Sequence, residues 1–216
     1  MNAADCREVG AVTFVVLDFE TVTPKGRPPE PIELAALRIL PGLVTDPTFK
    51  FDRLIKPPDG APITSFDTAQ TGIRAQDVER APDASTVLRE FDQLFQGMPC
   101  VLVAQNARYE ASILQRFALD CPAAAALAII DTVTLAKHVC PGLPNYKLNT
   151  LAQRFAIPVP VQRHRALPDV ELTVSVFKSL VTEARTAPGL STIAELEHVA
   201  VVNRPAQKEP QASLFD

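Results

Sequence analysis

A chain of 216 residues has room for one sizeable domain with extensions, and its length gives no reason to expect two full domains. The formal net charge of −4, from 21 basic against 25 acidic residues, argues against a broad electrostatic footprint for duplex nucleic acid and leaves only a local basic patch open. Four cysteines, at 6, 100, 121 and 140, include no Cys-x-x-Cys pair, which argues against zinc and fits buried, reduced thiols better than a disulfide framework.

The opening "MNAADCREVG" has no apolar signal core, and no segment approaches the ~18 apolar residues of a membrane span, so a soluble, cytoplasmic protein is expected. Residues 1–10 read as an N-terminal extension. Phe14 to Leu17 is an apolar, β-branched-rich run that predicts a buried strand. "PIELAALRIL" (31–40) and "TFKFDRLIK" (48–56) predict two more strands, and the Pro-, Gly- and Asp-rich turn between them favours an antiparallel meander. "ASTVLREFDQLFQGM" places Leu88, Phe91 and Phe95 at helical spacing, with Ser85 as a candidate N-cap. "CVLVAQ" (100–105) predicts a short strand before the helix-like "ARYEASILQRFAL", and "ALAIIDTVTLAKHV" divides into a strand ending near Ile130 and a helix. Strand, helix, strand, helix implies parallel crossovers after the meander. Leu148, Leu151 and Phe155 mark another helical face. Val170, Val174, Phe177 and Val181 mark the last, with Pro168 where a first helical turn tolerates it. Beyond 183 the periodicity weakens and Pro188, Pro205 and Pro210 punctuate the text, so 184–216 reads as a flexible tail after a domain over 11–183.

The first strand runs straight into Asp18 and Glu20. Alternation puts both on one face, where two carboxylates at the end of a buried strand repel and lose hydration. A pair of Mg²⁺ or Mn²⁺ ions removes that penalty by turning the acids into ligands. Taken alone, "DFE" is a weak signal that fits two solvated acids at a strand end better than a metal site.

Two later segments, "QNARYEASIL" (105–114) and "HRALPDVELT" (164–173), complete a pattern. The sequence resembles the DnaQ-like exonucleases, DEDD type, histidine branch, the group that includes the proofreading epsilon subunits of bacterial replicative polymerases. Asp18 and Glu20 match the first motif. Asn106, Ala107, Tyr109 and Glu110 match the second, with Glu110 standing where the family has Asp. His164 and Asp169 match the third. The likeness spans about residues 12–182, including "TGIRAQDVERAP" and "PGLPNYKLNTLAQRFAIP".

The resemblance implies a ribonuclease H-like fold: a mixed five-stranded sheet, made of a three-strand antiparallel meander plus two parallel strands, flanked by helices. It also implies a two-metal 3′→5′ exonuclease using Mg²⁺ or Mn²⁺, with ions about 3.5–4 Å apart. Asp18 would bridge both ions, with Glu20, Asp169 and Glu110 completing the shells. His164 would take the proton from the attacking water. Phe19, Thr21, Asn106, Arg108, Arg163 and Arg165 are the candidates for substrate contact, although Phe19 also fits a core position. Single-stranded ends are the expected substrate, DNA ahead of RNA, in proofreading or repair and in company with a polymerase subunit. An RNA-processing member of the family is the first alternative, and a binding or scaffolding module impaired by Glu110 is the second. Finally, the terminal "QASLFD" resembles the peptide by which bacterial replication and repair proteins hold the sliding clamp, with Gln211, Leu214 and Phe215 as its anchors.

Overall fold

The computed structural model describes residues 7–160, 165–185 and 190–203. Strand β1 (Thr13–Val22) buries four successive side chains, Phe14 to Leu17, which requires cover on both of its faces. β2 (Glu30–Leu40) and β3 (Val44–Leu54) follow as the expected antiparallel meander, with Asp18 opposite Ala35 and Glu20 opposite Glu33. Gly42 takes φ 82° in the turn between β2 and β3, a left-handed conformation that costs a glycine little. β4 (Cys100–Ala104) pairs parallel to β1, and β5 (Ile129–Asp131) pairs parallel to β4.

A sixth strand, β6 (Val201–Asn203), pairs antiparallel to β5, so the sheet order is β3-β2-β1-β4-β5-β6 and not the five strands expected. α1 (Ser65–Thr71), α2 (Ala75–Val78) and α3 (Ala84–Gln93) lie between β3 and β4. α4 (Arg108–Arg116) and α5 (Pro122–Ala125) form the crossover from β4 to β5. α6 (Thr132–Val139), α7 (Leu148–Arg154), α8 (Ala166–Ala184) and α9 (Ile193–Ala200) complete the chain order before β6.

Side-chain alternation divides the core between the two faces of the sheet. Phe14 and Val16 of β1 join Ala35, Leu37 and Ile39 of β2 against Val170, Val174, Phe177 and Val181 of α8. Phe14 meets Phe177 edge-on at 5.0 Å between ring centroids. Val15, Leu17 and Phe19 point the other way, onto Leu88 and Phe91 of α3 and Ile113 and Leu114 of α4. A smaller cluster of Val22, Ile32, Ala61, Ile73 and Val78 supports the segment that carries α1 and α2.

Two expectations are corrected. The cap of α3 is Asp83, whose carboxylate accepts from Thr86 N, while Ser85 is already helical and donates to Asp120 instead. Residues 190–203, expected within a flexible tail, form α9 and β6. Thr192 and Glu195 cap α9 reciprocally, and Leu190, Ile193, Leu196 and Ala200 are buried. The start of this segment is tied to the chain beginning: Val9 N donates to Ser191 O and Ile193 N donates to Arg7 O. Among the described residues no helix is long and apolar enough to cross a membrane.

Candidate active site

The parallel strands deliver their acids to a common edge. β1 ends with Asp18 and Glu20 on the face covered by α8. β4 runs into Asn106 and then α4, which carries Glu110 in its first turn. β5 ends at Asp131. From the helical layer, α8 contributes Asp169 in its own first turn. One carboxylate oxygen each from Asp18, Glu20 and Asp169 lies within 4.8 Å of the others. Glu110 is outside that trio but close enough to act on the charge of Asp18.

Such crowding is costly without a cation. Burial raises the Asp18 carboxyl well above the usual carboxylate range, and Glu110, Glu20, Asp169 and Glu33 raise it further. Burial likewise pushes Glu110 up to about 8, with Asp131 adding to the rise. The Glu110 Oε2 atom is buried without a hydrogen-bond partner. Hard oxygen donors alone, converging with excess negative charge and an unsatisfied buried carboxylate oxygen, fit Mg²⁺ or Mn²⁺. Asp18, Glu20 and Asp169 would hold the metal, with Glu110 at its border.

The surroundings are arranged by residues that motif reasoning passes over. Asp131 caps α6 by accepting from Val133 N and Thr134 N, and it also accepts from Ala107 N at 3.2 Å. It therefore fixes the start of α4, and with it Glu110. Asn106 enters that turn with φ 62°, a left-handed conformation that asparagine tolerates better than most residues, and its carbonyl accepts from Tyr109 N. Glu33, from β2, accepts from Arg165 and from Ala166 N at the start of α8. A glutamate inside the apolar run "PIELAAL", and an aspartate closing "AII", are the sequence signals for these two positions.

Beside the acids lies a cleft of about 660 Å³ lined by Glu20, Thr21, Phe66, Gln70 and Tyr109, among others. The hydroxyls of Thr21 and Tyr109 share a short hydrogen bond across it. Phe66, on α1, is 68% exposed, unusual for so large an apolar side chain. α1 is held by a reciprocal cap between Thr64 and Asp67 and ends at Gly72, whose φ of 72° breaks the helix. Sequence reasoning missed Phe66 because "ITSFDTAQT" has no apolar face to announce a helix.

Of the other candidate residues, Phe19 is buried at 5% exposure in the core against α3 and α4, and the residue also borders the cleft. Asn106 and Arg108 are exposed at the start of α4. Arg165 is engaged by Glu33. Arg163, His164, Gln211, Leu214 and Phe215 lie outside the described residues.

The RNase T family model, described as an exonuclease, matches residues 15–177. The DNA polymerase III PolC-type of Caldanaerobacter subterraneus subsp. tengcongensis is 32% identical over 186 residues, covering 86% of this chain and 13% of the relative. The chain spans about an eighth of the length of the curated relatives it matches. Among solved structures, the nuclease domain of 3′hExo, a DEDDh family member bound to rAMP, superposes with a TM-score of 0.69 at 14% identity, covering 92% of this chain and 100% of that one. Exonuclease X in complex with 5′ overhanging duplex DNA gives a TM-score of 0.63 at 19% identity, covering 84% and 99%. At those identities the likeness is one of fold.

Proposed function

The chain belongs to the RNase T exonuclease family, and on that premise we propose that it removes nucleotides from the 3′ end of single-stranded nucleic acid, DNA ahead of RNA, with two divalent cations. The observation that carries this reading is the convergence of Asp18, Glu20 and Asp169 within 4.8 Å beside the unsatisfied Glu110. Bound there, the cations would supply electrophilic activation of the phosphodiester and charge stabilisation as its bond breaks.

The chain's own residues would do the rest. Asp18 would bridge the two ions, and the charges of Glu20, Glu110 and Asp169 all bear on it. Asp169 is held by α8 and Glu110 by α4, so the metal site depends on helices from both sides of the sheet. The terminal base would enter the cleft between the Thr21–Tyr109 pair and the exposed Phe66 ring, where an aromatic face stacks on any base. Arg108, exposed at the start of α4, would contact a substrate phosphate. His164, five residues before Asp169 in the third motif, is the residue for the water proton, since neutral imidazole is a competent base near pH 7. The polymerase name of the relatives supports a role at primer ends, in proofreading or repair.

The test is shortening of end-labelled strands. Matched DNA and RNA oligonucleotides, incubated with Mg²⁺ or Mn²⁺, should be trimmed from the 3′ end and should survive intact in chelator. Intact strands under both metals, with binding retained, would point to the scaffolding alternative.

A further inference from the structure

Resting on that reading, we propose that Glu33 and Arg165 form a brace that positions Asp169 and the third motif against the first, and that neither is a metal ligand or a phosphate contact. Glu33 shares the α8-facing side of β2 with Ala35 and sits directly opposite Glu20. It is 1% exposed, so a further buried carboxylate stands beside an acidic trio that already repels itself. Both of its oxygens are committed. Arg165 Nε donates to Oε1 at 3.0 Å and to Oε2 at 3.1 Å, Arg165 Nη2 donates to Oε1 at 2.5 Å, and Ala166 N donates to Oε2 at 2.8 Å.

Those contacts replace a helix cap. Arg165 occupies the N-cap position of α8 but its side chain makes no cap bond, so a first-turn N–H would be orphaned. Glu33, from another element, accepts from the first of them, and Pro168 has none to satisfy. Asp169 N then donates to Arg165 O at 3.2 Å and closes the turn. One continuous line runs from β2 through Glu33 and Arg165 to Asp169. It anchors α8 one residue after His164, which lies outside the described residues.

The brace also balances charge. The guanidinium offsets Glu33 next to the trio, and Asp52 and Asp77 face the same arginine. Removing Arg165 leaves the buried Glu33 carboxylate without its counter-ion, whereas removing Glu33 frees a guanidinium that is 41% exposed and orphans Ala166 N. A carboxylate displaced by an ångström can cost on the order of 10²-fold in rate. The expected effect therefore falls on metal binding and turnover and spares strand affinity.

The experiment compares the natural protein with Glu33→Gln, Arg165→Gln, the double variant and Arg165→Lys. Glu90→Gln, in the exposed Arg53–Glu90 pair, is the control that should change nothing. Mn²⁺ binding without nucleic acid is followed by electron paramagnetic resonance, alongside kcat and KM on a single-stranded oligonucleotide and thermal melts without metal. Each single glutamine variant should raise the Mn²⁺ half-saturation at least fivefold with the number of ions unchanged. Each should lower kcat about 10- to 100-fold, with KM within threefold. The double variant should be no worse than the poorer single one within twofold, as for two residues acting as a unit. Arg165→Lys keeps the charge but not the fork, and should fall between; it decides the matter if the glutamine variants do not fold. Unchanged half-saturation and kcat overturn the proposal, as do additive losses. Loss of one bound ion in Glu33→Gln overturns it by making Glu33 a ligand. If the natural protein cleaves no strand, the functional reading falls while the Mn²⁺ isotherms still decide the brace.

Discussion

Glu110 is where chemistry and stability meet in one side chain. Folding holds its carboxyl near 8, while an unfolded glutamate titrates near 4.5. Between those values the folded chain keeps a proton that the unfolded chain releases, so without metal the stability that Glu110 contributes is fully present below about 4.5 and is lost as pH rises through about 8. Asp18 is shifted in the same direction and adds to the slope. Denaturant titrations in chelator at pH 5 and pH 8 should show that loss, and Glu110→Gln should flatten it. A metal reverses the trend, because its binding must expel the retained protons. Mn²⁺ affinity should accordingly rise across the same range, and a flat affinity would remove Glu110 and Asp18 from the site. On activity, Glu110→Ala should lose about 10²-fold. Glu110→Asp should be at least as active as the natural protein, because the pattern that the sequence resembles is built around the shorter carboxylate. If Glu110→Ala cleaves at the natural rate, the match of the second motif is wrong.

At the scale of elements, α8 ties the site to the core. Its Val170, Val174, Phe177 and Val181 cover the β1 face that ends in Asp18 and Glu20, and its first turn carries Asp169. Phe177 is fully buried against Phe14, so Phe177→Ala should destabilise the fold by about 3–5 kcal/mol. A denaturant midpoint measured without metal checks this, and a loss below 1 kcal/mol would mean that α8 packs elsewhere. This helix was legible in the sequence because its stripe, Val170 to Val181, repeats at helical spacing over about three turns. α3 and α7 were legible by the same helical spacing, β1, β4 and β5 as apolar runs, β2 and β3 as runs bounded by turn residues, and α4 and α6 by the alternation of strand and helix. The cap of α3 was not, since Asp83 and Ser85 are both good caps and only the fold occupies Ser85 with Asp120. β6 has only three residues, too few to show alternation, and exists because β5 offers it a free edge. Glu33 is a lone acid inside the apolar run "PIELAAL". Its partner, Arg165, is 132 positions away, and no local pattern reports such a pair.

Over the whole molecule, the acids of the site come from β1, the starts of α4 and α8, and the end of β5, so their motifs are far apart in sequence and close only in the fold. The order of those motifs made the constellation legible; the 4.8 Å convergence and the Phe66 wall needed the fold. With a net charge of −4, long-range attraction contributes little to holding a polyanion, so repeated encounters with a strand end call for another source of proximity. The terminal "QASLFD" offers one. We propose that it docks as an extended peptide on the sliding clamp of its own organism, Leu214 and Phe215 filling an apolar pocket and the Gln211 amide bonding at its rim. One short peptide binds weakly, but joined to the nuclease it sets a high effective concentration at a clamp-loaded end. The full chain should bind the clamp in a titration by calorimetry, and Leu214→Ala with Phe215→Ala should lower that affinity by at least tenfold. Trimming of short free oligonucleotides should be unchanged in the double variant, because neither side chain offers a metal ligand or a proton-transfer group. Trimming on clamp-loaded primers should fall toward the free-oligonucleotide rate. Equal clamp affinity in the natural and doubly substituted proteins would refute the tether while leaving the nuclease assignment intact.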